Sequence, residues 1–184
     1  ITLDYPEINI DILSRPYHAN VYIFKGEYHF KEKHLFAKHF ELPGDNNAPR
    51  VFISQLILSD CFPFIRNTLR DAARKNNLKR FTPEELIFSG TLFSPLSYDV
   101  YNRLREESEY AAWFYVFGFR ANHFTVSINS LKKYKNILDV NELLKSHGDL
   151  VNCSGGEVKG TPEDRAQQSR RQSEKGKAKG RAGK

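Results

Sequence analysis

The sequence predicts an α+β domain built on a curved β-sheet with flanking helices. Three observations predict it. Two β-rich runs, residues 51–58 and 119–128, lie far apart in the chain. Segments with helical apolar spacing and N-terminal capping signals stand between them. Apolar residues make up 40% and aromatics 13% of the 184 residues, which suits a packed core and excludes a wholly disordered chain. Residues 1–164 read as one such domain, and residues 165–184 as a separate basic tail.

In chain order, Ile8, Ile10 and Ile12 alternate with Asn9 and Asp11, which predicts a short strand broken by Ser14-Arg15-Pro16. Residues 21–24 and 27–30 read as β segments around Lys25-Gly26, and residues 33–42 can continue the sheet. His29, His34 and His39 recur every fifth residue. Helical metal pairs are spaced by four. A step of five puts neighbours on opposite strand faces, or about 140° apart on a helix. The trio therefore reads as solvated or hydrogen-bonded histidines. Residues 43–49 have loop composition. After the run at 51–58, Ser59 or Asp60 can cap a helix that places Phe62, Ile65, Leu69, Ala72 and Ala73 on one stripe. Arg66, Arg70, Arg74 and Lys75 would be its solvated face. Thr82-Pro83-Glu84-Glu85 is a capping box with proline at the first helical position. Ser97 can cap a further helix running toward Phe117, on which Glu106, Glu107 and Glu109 read as surface charge. Residues 129–135 read as helical, and Asp139 with Glu142 as a capping box for a helix that Gly148 can close.

The stretch from Ala111 to Asn129 organises the rest. Gly118 can end the preceding helix, because glycine accepts a positive φ without Cβ strain. The next ten residues read as a strand. One face would carry Phe124, Val126 and Ile128 toward a core, with Trp113 and its neighbours packed on the sheet. The other would carry Ala121, His123, Thr125 and Ser127. A histidine among small polar neighbours suits either a hydrogen-bonded structural role or a metal ligand. Later, Gly155-Gly156 permits close backbone approach to an anion, or is a plain turn. It lacks the spacing of a phosphate-binding P-loop.

The segments 108–113 (Ser-Glu-Tyr-Ala-Ala-Trp) and 117–125 (Phe-Gly-Phe-Arg-Ala-Asn-His-Phe-Thr) resemble the 2-oxoadipate dioxygenase/decarboxylase family. Residues 25–30, 49–56 and 152–160 support this in the same order, so the resemblance runs from about residue 23 to 169, with residues 1–22 poorly matched. It implies a mixed sheet similar to vicinal-oxygen-chelate folds and an Fe(II) cofactor held by two histidines and a glutamate. It also implies a 2-oxoacid substrate and oxygen, giving a 2-hydroxy dicarboxylic acid and carbon dioxide. His123 matches the second metal ligand. Ser154, Gly155, Gly156 and Val158 fall near the substrate, Glu109 belongs to the scaffold, and Arg120 is structural. No residue here matches the family's first histidine, its neighbouring substrate arginine or its glutamate. The resemblance therefore implies an impaired or incomplete enzyme.

Charge supplies the alternative reading. Eight Lys/Arg and one Glu fall within residues 165–184, so this stretch carries +7 against +6 for the chain, and the remainder, at −1, is close to neutral. The near-neutral balance of the folded part argues against a nucleic-acid surface there, and the stripe of Arg66, Arg70, Arg74 and Lys75 reads as a solvated face in preference to a basic nucleic-acid one. A non-catalytic protein whose tail contacts an acidic partner or nucleic acid is the second reading, and a truncated gene-model fragment the third. Methionine is absent even from position 1, as expected of a processed, truncated or internal piece. No transmembrane or secretory signal is visible, and the two isolated cysteines, Cys61 and Cys153, fit a cytoplasmic location without excluding an organelle. Residues 165–184 contain no large apolar side chain and cannot offset chain entropy by burial. Limited trypsin digestion followed by mass spectrometry should remove this stretch first; a cut core with an intact tail would refute the composition argument.

Overall fold

A computed structural model of the chain describes residues 1–91, 93–128, 131–134, 136–153, 157–158 and 169. The tail read from composition lies outside these residues, Ser169 apart. The described residues fall into two compact units, one formed by residues 1–124 and one beginning at Thr125.

The first unit is organised by a four-stranded mixed sheet of order β1-β4-β3-β2. The strands are β1 (Thr2–Leu3), β2 (Ile23–Phe30), β3 (Leu35–Glu41) and β4 (Val51–Leu56). β1 runs parallel to β4, while β2, β3 and β4 form an antiparallel meander. A helix, α1 (Ile10–Ala19), connects β1 to β2. The sequence is thus strand, helix and three strands. The two β segments expected around Lys25-Gly26 form one strand whose register shifts between Phe24 and Gly26, as at a bulge.

Two N-terminal expectations change. Residues 8–12 do not form a strand. The Asn9 side chain accepts from the Ile12 N–H at 3.0 Å and caps α1, which turns Ile10, Leu13 and Ser14 inward at helical spacing. The local cap outweighs a three-residue alternation, which both periods can accommodate. Pro16 lies within the helix instead of ending it, and Asn20 closes the last turn onto the Pro16 carbonyl. The strand beside β4 is instead Thr2–Leu3, too short to show a period. It is pinned at both ends. The Thr2 hydroxyl donates to the Ile8 carbonyl, and Asp4 joins β4 and the turn after it through Asp4 N–Leu56 O (3.0 Å) and Leu58 N–Asp4 Oδ1 (3.0 Å). α1 lies on β3 and β4. Ile10 N–H donates to Gln55 Oε1 at 3.0 Å, Lys38 pairs with Asp11 at 2.8 Å, and the His18 ring meets Phe40 edge-on.

The remaining helices of this unit are α2 (Pro63–Lys75), α3 (Pro83–Phe88), α4 (Tyr98–Glu107) and α5 (Glu109–Phe117). α2 buries Ile65, Leu69 and Ala73, one residue per turn. Neither Ser59 nor Asp60 caps it; Pro63 at the first turn starts it, and Phe62 stays exposed. The capping box of α3 is complete, with Glu85 N–Thr82 Oγ1 at 3.2 Å and Thr82 N–Glu85 Oε2 at 2.8 Å. The helix expected from Ser97 to Phe117 is two helices. Ser108 takes an extended conformation, ends α4 and caps α5 through the Ala111 N–H. This break lets α5 turn Ala111, Ala112, Phe114 and Tyr115 into the core. Phe114 is the fully buried aromatic. Trp113 is only half-buried and lies against Phe117 with the rings tilted at 34°.

In the second unit, residues 131–134 form turns where a helix was expected; 129, 130 and 135 lie outside the described residues. The helix α6 (Ile137–Ser146) follows. Its cap is Asn136, whose side chain accepts from Asp139 N–H at 3.0 Å, three residues before the cap read from the sequence. Gly148 closes it with φ +85°, as expected.

Gly118 is the glycine on which the core depends. Its φ is +60°, and a Cβ there would fall 2.2 Å from the Gly90 carbonyl oxygen. Gly148 has open space around the same position. Gly118→Ala should therefore lower the unfolding free energy by more than about 2 kcal/mol, and Gly148→Ala by only about 1. Urea unfolding checks both, and equal costs would refute the close approach.

Candidate functional site

α5 delivers the chain to the segment that carries His123. Gly118 N–H closes the helix onto the Phe114 carbonyl, and Phe119 N–H donates to Gly90 O at 3.0 Å. Phe119 is buried, with its ring edge against Phe114. Arg120 runs over Gly90, whose missing side chain leaves the room. Up to this point the expectation holds.

Beyond it, the expected strand does not form. Residues 121–127 have no regular structure, and no described strand pairs with them. His123 is exposed. Phe124 is 89% and Val126 69% exposed, so the face read as core-bound is uncovered in the described residues. The alternation of this segment is genuine, but alternation alone supplies no hydrogen-bond partner. Extended backbone becomes a strand only where a neighbour accepts its ladder.

The substrate-side residues are divided. Ser154, Gly155 and Gly156 lie outside the described residues. Val158 is half-buried next to Glu157, whose carboxylate fixes this end of the second unit. Glu157 accepts from Asn141 Nδ2 at 2.9 Å and pairs with Lys145 at 3.0 Å, and Lys145 also reaches Glu142 at 3.1 Å. Lys145 holds the Glu157 carboxyl below its ordinary range, with Asn141 assisting. Glu157 in turn raises the Lys145 ammonium. Glu157 is thus a clamp between residues 157–158 and α6, with its oxygens already engaged.

The other titratable groups were read as structural, and most remain so. The His29 ring lies against Phe36 at 4.7 Å, and His34 ends a turn in the left-handed conformation. Both line an open cleft with Lys31 and Asp60. Glu106, Glu107 and Glu109 are exposed. Cys61 is buried, and burial first, then the Asp4 and Asp60 carboxylates, pushes its thiol up to about 11. Such a thiol is neither a ready ligand nor a nucleophile at neutral pH. Among the described residues, no three His, Cys, Asp or Glu side chains gather closely enough to hold a metal. The donor set implied by the family is therefore not assembled around His123. One relation on the sheet was missed. His39 and Glu41 stand two apart on β3 and so share a face, with Tyr28 and Arg50 beside them. A strand reading of residues 33–42 contains that pairing, but the five-residue spacing groups His39 with His29 and His34 instead.

Comparison with known proteins decides the family. A sequence profile of 2-oxoadipate dioxygenase/decarboxylase matches residues 66–178, more than half of the chain. This chain belongs to the 2-oxoadipate dioxygenase/decarboxylase family. It is 36% identical over 124 residues to the chloroplastic 2-oxoadipate dioxygenase/decarboxylase of Arabidopsis thaliana, covering 66% of this chain and 33% of that protein. It is 29% identical over 164 residues to the chloroplastic/amyloplastic enzyme of Oryza sativa, covering 80% and 44%. The chain thus spans less than half the length of these curated relatives.

Solved structures agree on the fold. A crystal structure of a protein from Shewanella frigidimarina, described as a hydrolase, superposes with a TM-score of 0.83 at 40% identity, over 88% of this chain and 63% of that one. The Oryza sativa hydroxyglutarate synthase in complex with 2-oxoadipate gives 0.78 at 23% identity, over 94% and 64%. A glyoxalase-superfamily protein from Ralstonia eutropha gives 0.60 at 14% identity, over 81% and 53%. The mixed sheet with flanking helices is accordingly similar to vicinal-oxygen-chelate folds, as the resemblance implied. Among the described residues, no helix of the family member is long and apolar enough to cross a membrane.

Two outcomes follow for this site. The stabilisation from a carboxylate with a depressed pKa is full above its ordinary value of 4.5 and is lost as pH falls through the lower folded value. Amide-exchange protection of α6 should hold from neutral pH down and fall only below the ordinary value of 4.5; Glu157→Gln should show no such acid step. Iodoacetamide at pH 8 should label exposed Cys153 at once and Cys61 only after unfolding. Equal rates would show that the Cys61 thiol is reachable in the native state.

Proposed function

We propose that this chain carries part of the site of a 2-oxoadipate dioxygenase/decarboxylase, and that as written it turns over 2-oxoadipate negligibly. In the complete reaction a 2-oxo dicarboxylic acid and oxygen give a 2-hydroxy dicarboxylic acid one carbon shorter and carbon dioxide. Family membership supports the substrate class, as does the Oryza sativa relative whose structure holds 2-oxoadipate. The observation that carries the reading of impairment is the setting of His123. It lies on an exposed, unpaired segment, and among the described residues it belongs to no group of three donors that could hold a metal.

A facial triad needs three protein donors held in fixed geometry. The residues described here do not fit an Fe(II) of that kind, so no step is derived through one. His123 contributes a single imidazole, and its ring orientation depends on an acceptor for the second nitrogen. Loss of one such outer partner already costs about 10–100-fold in affinity or activity. Loss of two direct ligands should cost far more.

A second reading rests on the charge of residues 165–184. That stretch would bind an acidic partner or nucleic acid through nonspecific contacts, with affinity falling steeply as salt rises. Such binding would be lost on removal of these residues and would leave the folded part unaffected.

Anaerobic Fe(II) titration followed by oxygen uptake with 2-oxoadipate tests the main reading. The expected result is weak iron binding and no substrate-dependent oxygen consumption. Stoichiometric tight iron together with 2-oxoadipate-dependent uptake, both abolished by His123→Ala, would overturn it.

A further inference from the structure

β2 is the open edge of the sheet. In the order β1-β4-β3-β2 it has β3 on one side and no described strand on the other. β1, at the opposite end, is two residues long, whereas β2 runs for eight. An edge of that length presents a row of unpaired backbone donors and acceptors, a template for a further strand. No proline interrupts it, and every residue of it except Gly26 is exposed. Ile23, Phe24, Tyr28 and Phe30 are each 40–48% exposed. The Tyr28 ring is stacked on Phe30 at 6.4 Å and lies 5.4 Å from Phe52, so this apolar surface is already ordered. We propose that β2 pairs antiparallel with β2 of a second copy of this chain, about a two-fold axis at Gly26, which joins two four-stranded sheets into one of eight.

Charge selects both the partner and the register. Lys25 and Glu27 flank Gly26. An antiparallel pair centred on Gly26 sets Lys25 of each copy beside Glu27 of the other, so one interface contains that ion pair twice. Moving the axis by one residue opposes Lys25 to Lys25 or Glu27 to Glu27, and like charges directly opposite are destabilising. Both charges are available for this. Glu27 stands opposite Lys38 on β3, but Lys38 is committed to Asp11 at 2.8 Å. Lys25 falls at the register shift between Phe24 and Gly26, so it has no β3 partner in the ladder. Gly26 has no side chain to hold the two strands apart at the axis. Outward from it, Tyr28 and Phe30 of one copy run alongside Phe24 and Ile23 of the other.

A lysine and a bulge are devices by which an edge strand resists indiscriminate pairing. An apolar or basic strand would leave Lys25 buried against nothing or against its own sign. Glu27 of a second copy is the group that answers it, so the same features that repel other strands admit this one. The interface is one strand wide on each side. It therefore lies at the small end of specific interfaces, near about 1,000 Å² in total, and the dimer should form reversibly with concentration.

Sedimentation velocity of the full chain, from micromolar to submillimolar concentration at neutral pH, tests this, with circular dichroism to confirm that each variant is folded. The expected result is a monomer–dimer equilibrium that weakens as salt rises. Lys25→Glu and Glu27→Lys should each raise the dissociation constant by at least about tenfold, because each reversal acts at both ion pairs. Lys25→Glu combined with Glu27→Lys should bring it back to within about threefold of the parent chain, since both pairs re-form with opposite polarity. A chain that stays monomeric at every concentration would overturn the proposal. So would a dimer indifferent to the single reversals, or one that the double reversal fails to restore. None of these measurements involves His123 or oxygen uptake with 2-oxoadipate, so either reading can fail without the other.

Discussion

The Phe119 N–H donates to the Gly90 carbonyl, and this bond ties the end of α5 to a distant part of the first unit just before the chain enters the segment bearing His123. It exists because Gly118 lets the chain leave α5 at φ +60° and pass against Gly90 with no Cβ between them. Everything upstream is held by packing. Phe114 and Phe119 are buried together, and Phe93 meets Phe114 edge-on. Everything immediately downstream lacks a partner among the described residues. The same rule accounts for both sides. Backbone donors and acceptors need partners, and side-chain alternation does not provide them.

β1 shows the rule from the opposite direction. Two residues form a strand because β4 offers a parallel edge, and because Thr2 and Asp4 tie down its flanks. Residues 121–127 offer a longer and better alternating pattern and form none. Strand existence here follows the availability of an edge. The function follows as well, since His123 is only as well placed as the segment that carries it.

The sheet itself presents a different kind of chemistry. Tyr28 on β2, His39 and Glu41 on β3 and Arg50 just before β4 are neighbours, brought together by alternation and cross-strand register. The Glu157 clamp in the second unit is built from long polar side chains on a helix and an irregular segment. In both cases a carboxylate is already engaged by a cation. Glu157 is bound from two sides, by Lys145 and Asn141. Glu41 faces one guanidinium and one imidazole at a longer distance.

The sequence by itself determined the features that depend on a few adjacent residues. The capping box of Thr82 and Glu85, the Ser97 cap, Gly118 and Gly148 as helix ends, and the strands around 35–41 and 51–56 were all legible, because each is decided within one or two turns of chain. The family was legible for a similar reason, in contiguous motifs around Trp113 and His123. Tertiary structure alone decided the rest. Ser108 splits one apolar helix into two so that α5 can bury Phe114. Asn9 prevails over the Ile8–Ile10–Ile12 alternation because the helix has a sheet to pack on. Among the described residues the segment bearing His123 finds no sheet edge, and His39 meets Tyr28 only through pairing of separate strands. Local conformation is set by neighbours in sequence; a site is set by neighbours in space, and those are chosen by which backbone edges and apolar faces the whole chain can satisfy.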